Sequence, residues 1–105
     1  MKLDRNINPD GRGKYALVKL RTKIPDPEDA QQVQRAVNIM MKNNVLDLGN
    51  TPDTEFFVIR LKDKYAAPAL HAYARAAQED DLEYAAEISM LAVTAEHHPS
   101  QRRPD

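Results

Sequence analysis

Apolar residues along this chain fall into five groups, and the spacing inside each group predicts its element. Tyr15-Ala16-Leu17-Val18-Lys19-Leu20-Arg21 is a short, mostly apolar run closed by the breaker Pro25-Asp26-Pro27, which predicts a strand. A helix from about Pro27 to Asn43 follows. Asp26 is a good N-cap, Pro27 takes the first helical position, where its missing N–H costs nothing, and Ala30, Val33, Val37, Met40 and Met41 recur at intervals of three and four. Asn43-Asn44 ends that helix, and the stretch from Asp47 to Asp53, with Gly49-Asn50 and Pro52, is a turn-rich connection. Phe56-Phe57-Val58-Ile59-Arg60-Leu61-Lys62 then predicts a second strand.

From about Lys64 to Gln78, Ala66, Ala69, Leu70, Tyr73, Ala74 and Ala77 form one helical stripe, with Pro68 near its start, where it kinks or delays the helix. Glu79-Asp80-Asp81 caps a third helix marked by Leu82, Ala85, Ile88, Ala92 and Ala95, which fades at His97-His98 before Pro99. The very short connection and the small side chains predict an antiparallel hairpin of these two helices. The expected fold is therefore α+β in the order β-α-β-α-α, a single small domain over residues 1–98 with a polar tail over 99–105.

A length of 105 residues suits one core, and a modest one, so self-association into a homo-oligomer is expected to cover open sheet edges. The chain has no cysteine, which excludes disulfides, thiolate nucleophiles and thiolate-bound zinc. Fifteen Lys and Arg against sixteen Asp and Glu give a net charge of -1, so no affinity for double-stranded DNA or for a membrane surface is expected. Met1-Lys2-Leu3-Asp4-Arg5-Asn6 has no apolar run behind its charges, and no apolar stretch approaches the roughly 20 residues that span a bilayer. A cytoplasmic protein is the expectation.

The two strand segments echo one another over seven positions, from Tyr15 with Phe56 to Arg21 with Lys62. Alternation sends Ala16, Val18, Leu20, Phe57, Ile59 and Leu61 to one face. The other face would carry Tyr15, Leu17, Lys19 and Arg21 from one strand and Phe56, Val58, Arg60 and Lys62 from the other, apolar at one end and cationic at the other. Aromatic rings beside cations hold a base by stacking and a phosphate by charge-assisted hydrogen bonds, so this face is a candidate site for a small anionic, nucleotide-like ligand. Cations on a solvated strand face also guard an edge against unwanted pairing, which is the competing explanation.

Asn6 to Gly13 crowds two Gly, a Pro, two Asn and an Asp into a loop. Gly11-Arg12-Gly13-Lys14 lacks the spacing and the Lys-Ser/Thr ending of a phosphate-binding loop and reads as a turn, yet it offers backbone N–H groups beside Arg12 and Lys14 as a lesser element of the anion site. His71, His97 and His98 are poorly spaced as metal ligands, and neither a metal nor a cofactor is implied. No local pattern proposes a nucleophile with its base, so catalytic residues are expected to be absent.

Lys2-Leu3-Asp4-Arg5-Asn6-Ile7, Gly11-Arg12-Gly13-Lys14-Tyr15-Ala16, the run from Gly49 to Ala66 and the ending Arg103-Pro104-Asp105 resemble segments of a group of small uncharacterised proteins encoded by tailed bacteriophages. The resemblance implies a phage setting and a host-cell cytoplasm, and carries over no catalytic residue. Three functions follow as expectations: a counter-defence protein that sequesters a small anionic signal, a protein-interaction module that binds and inhibits a host protein, and a small phage enzyme or structural accessory.

Overall fold

The protein is described by a computed structural model, in which residues Lys2 to Arg103 are described. The N-terminal residue and the last two residues of the expected tail, Pro104 and Asp105, lie outside them. Three helices account for the regular structure: α1 (Pro27–Lys42), α2 (Ala66–Ala77) and α3 (Leu82–Glu96). The chain divides into two compact units, one formed by residues 1–16 with 58–105 and the other by residues 17–57.

The expected α+β fold is corrected by this architecture. Among the described residues there is no sheet, and the one β-type contact is an isolated parallel bridge between Asp63 and Arg102. Both segments expected to be strands are irregular and end in turns, closed by the Thr22 N–H donating to Lys19 O and the Asp63 N–H donating to Arg60 O. The physical reason is that alternation describes a segment's two faces but does not provide a neighbour. A strand is stable only as part of a ladder, and two short strands alone are marginal. The protein is a small helical one.

The larger unit is built on the α2–α3 hairpin. Asp81 caps α3 by accepting from the Tyr84 N–H at 3.0 Å, and Asp63 accepts from the Tyr65 N–H at 2.7 Å just before α2. Among the described residues the buried ones are Ala66, Ala67, Ala74, Ala85, Ile88, Ala92 and Ala95, so the core is alanine with a single larger side chain. Alanine costs no side-chain entropy on burial and lets helix backbones approach closely. Half-buried Leu61 and Leu70 pack against its Ala66, Ala67 and Ala95 end.

Two tethers bind irregular chain to this hairpin. Near the N-terminus, the Leu3 N–H donates to Glu87 Oε2 of α3 at 2.6 Å. Beyond α3, the Arg102 N–H donates to Lys62 O and Arg102 O accepts from the Lys64 N–H at 2.7 Å.

The 17–57 unit holds α1. Its start follows the local chemistry, with Asp26 accepting from the Glu28 N–H at 3.0 Å and Pro27 inside the first turn. Its end is closed by Asn44 at φ 58, after which the Val45 N–H donates back to Met40 O at 2.8 Å. A short polar side chain tolerates that left-handed backbone better than most.

Candidate functional site

Two surfaces combine exposed chemistry with local order. The first is the loop from Asp4 to Tyr15. Its closure comes from side chains: Asp4 accepts from the Lys14 N–H, Asn6 Oδ1 accepts from the Gly13 N–H at 2.7 Å, and Asn8 Nδ2 donates to Arg5 O at 2.6 Å and to Arg12 O at 2.9 Å. The turn at its tip uses Gly11 at φ 74. A Cβ at Gly13 would lie 2.4 Å from Asn6 Oδ1, so glycine is required for the clamp to close.

This loop brings together three of the sequence-predicted site residues, Arg12, Lys14 and Tyr15. All three are exposed, with the Tyr15 ring 79 % so. Half-buried Arg5 and exposed Ile7 stand on the same loop and were not anticipated. The loop itself holds Arg5, Arg12 and Lys14 against Asp4 and Asp10, and a running charge count marks the longer N-terminal stretch that contains it. Through residue 23 the chain holds seven Lys and Arg against two Asp, a net charge of +5, whereas residues 24–105 carry -6. The overall value of -1 hides this division.

The remaining predicted site residues are placed individually, because the sheet face meant to align them does not exist. Lys19 and Arg21 lie on the turn from Lys19 to Thr22, in the 17–57 unit. Phe56 belongs to that unit too, and its ring covers Gly49, where an added Cβ would fall 2.2 Å from a ring carbon. Arg60 and Lys62 belong to the other unit, at the turn preceding the bridge with Arg102.

The second surface is a groove of about 770 Å³ within the 17–57 unit. Ala30, Val33, Val37 and Met41 of α1 form one wall, and the other includes Leu17 and Leu20. Lys19 is its only charged lining residue. No residue from 17 to 57 is buried, although α1 carries the apolar stripe of a core helix.

The α2–α3 turn carries a smaller cavity of about 310 Å³ lined by Tyr73, Tyr84, Asp80 and Asp81 among others. The two rings meet edge to face at 6.2 Å, and their hydroxyls are 3.3 Å apart. That hydroxyl contact, followed by partial burial, raises the Tyr84 pKa above the ordinary phenol value of 10.0. Among the described residues no group of three His, Asp or Glu is placed to hold a metal ion. The histidines near the end of α3 make local contacts: His98 Nδ1 accepts from the Ser100 N–H at 3.0 Å, and His97 lies 3.9 Å from Glu96.

Among the described residues no helix is long and apolar enough to cross a membrane. No protein-family model, no curated protein and no solved structure matches this chain.

Proposed function

We propose that the chain is a non-enzymatic binding protein whose working surface is the apolar groove of the 17–57 unit, and that it binds protein there. The observation that carries this reading is α1, an amphipathic helix with an ordered N-cap and C-cap and no buried residue. Covering an apolar side chain of the Val, Leu or Met class stabilises by about 1.5–3 kcal/mol when burial is complete. Partial cover of several such residues is enough to drive docking of an apolar helix or segment, with Lys19 favouring an acidic neighbour.

Self-association belongs to this reading, since in the absence of another protein a second copy is the available cover. The resemblance to small tailed-phage proteins supports placing the module in the cytoplasm of an infected cell, in a host-takeover or counter-defence role. The sequestration of a small anionic signal has narrower support: the loop unites Arg12, Lys14 and Tyr15, but Lys19, Arg21, Arg60 and Lys62 no longer share a sheet face with them.

Light scattering coupled to gel filtration tests the proposal. A species heavier than the 11.9 kDa monomer is expected at micromolar concentration, and Val33→Glu, at an exposed position, should return it to monomer without loss of helicity. Equal assembly of the Val33→Glu variant would rule out the groove as the docking surface.

A further inference from the structure

We propose that the Asp4–Tyr15 loop is a binding element for single-stranded nucleic acid, a role separate from the protein-docking groove. The argument starts from charge. The loop holds three cations, Arg5, Arg12 and Lys14, against Asp4 and Asp10; Asp4 accepts from the Lys14 N–H, and Arg12 and Lys14 form no ion pair among the described residues. Exposed cations without an internal ion pair mark a local site for an anion.

Order is the second step. The clamps from Asp4, Asn6 and Asn8 hold the loop backbone before any ligand arrives, so binding does not have to order twelve residues of irregular chain. Loss of backbone freedom costs roughly 1–2 kcal/mol per residue, and a preformed loop avoids that penalty.

The third step concerns the aromatic ring. Tyr15 follows Lys14 directly and stands 79 % exposed, with Ile7 at 82 % on the same loop. Guanidinium and ammonium groups alone suit any polyanion. An exposed ring next to them adds a stacking platform, which an unpaired base uses and an acidic peptide does not. Duplex DNA stacks its bases internally, and none of the loop is helical, so no element is available to enter a major groove. The exposed, protruding character of these side chains suits an extended strand crossing the loop.

Fluorescence anisotropy with a labelled twenty-nucleotide oligothymidylate and the full chain tests the inference. If about three phosphates are neutralised, affinity should fall roughly twentyfold between 50 mM and 200 mM salt. Arg12→Glu combined with Lys14→Glu should weaken binding tenfold or more, and Tyr15→Ala at least roughly fivefold, while Tyr15→Phe retains it. All these side chains are exposed, so circular dichroism should show unchanged helicity. The groove variant Val33→Glu should bind the oligonucleotide as the parent does, which separates this inference from the docking proposal. Absence of binding at 50 mM salt would overturn it. So would binding that is indifferent to Tyr15→Ala and equally well competed by polyglutamate, an outcome that would assign the loop to an acidic protein.

Discussion

The α2–α3 hairpin and α1 show opposite relations between side-chain size and burial. The hairpin buries six alanines and one isoleucine. Helix α1 presents Val33, Val37, Met40 and Met41 along one stripe and buries none of them. The α1 stripe carries larger side chains than the alanines that the hairpin buries, although α1 as a whole is the most polar helix, so size alone does not decide burial and the supply of a neighbour does. Only Gln78 to Asp81 separate α2 from α3, and closing so short a loop costs little entropy. Within its own unit, α1 has only irregular chain for company. An apolar period therefore tells which face wants cover, and chain connectivity decides whether the fold provides it.

The sharpest break of this comparison uses one truncation in each region. Ile88 is 4 % exposed and the one large residue of the alanine core, so Ile88→Ala should cost about 2–5 kcal/mol. That is a large share of the roughly 5–15 kcal/mol that holds a natural domain together. Val33→Ala removes two methyl groups from a side chain 48 % exposed, and should change the monomer by about 0.5 kcal/mol or less. Urea denaturation at a concentration too low for self-association is the measurement. Equal losses would mean that α1 is as well covered as the hairpin.

A smaller effect sharpens the comparison inside the 17–57 unit. Gly49 has φ +61, and a Cβ there would meet the Phe56 ring at 2.2 Å. Gly49→Ala must bear the left-handed backbone cost of about 1–2 kcal/mol and also displace the ring. Because Gly49 and Phe56 share a unit without a buried residue, the damage should stay local. Faster amide exchange around residues 49–56 is expected, with protection in α2 and α3 unchanged. Loss of protection throughout the hairpin would show that the two units unfold as one.

Local chemistry was legible in the sequence wherever one residue acts on its near neighbours. Asp26-Pro27 places the start of α1, and the structure shows the cap bond that this pair implies. The third helix likewise begins one residue after the capping Asp81 and ends before Pro99. Pairing over long distance was not legible. The echo between Tyr15–Arg21 and Phe56–Lys62 concerns composition, and nothing in it specifies that the two backbones meet. The candidate site divides along the same line. Gly11-Arg12-Gly13-Lys14 was readable as turn chemistry with cations; the hydrogen-bonded turn is Asn8 to Gly11, and Arg12 to Lys14 follow it as irregular chain. The aligned cationic face depended on a sheet, and it disappeared with the sheet. The clamps by Asp4 and Asn6 connect residues up to ten positions apart through side chains, a pattern that periodicity does not encode.

The least costly test within the hairpin uses pH. Tyr84 donates to or accepts from the Tyr73 hydroxyl at 3.3 Å, and this contact, with burial, lifts its pKa above 10.0. A phenol whose folded pKa exceeds the unfolded value holds its proton more tightly in the native state. Its contribution is fully present below about pH 10 and is lost as pH rises through the folded pKa. The parent protein should therefore lose stability as the solution is taken above about pH 10, and Tyr84→Phe should show a shallower decline over the same range. Tyr73→Phe keeps Tyr84 but removes its phenolic partner, so Tyr84 should titrate closer to 10.0, as phenolate absorbance in the ultraviolet would record. Because the ring pair sits at the α2–α3 turn, this dependence reports on the hairpin and should be unaltered by Val33→Glu in α1. An alkaline slope that changed with Val33→Glu would show that cover of α1 and packing of the hairpin are energetically one process.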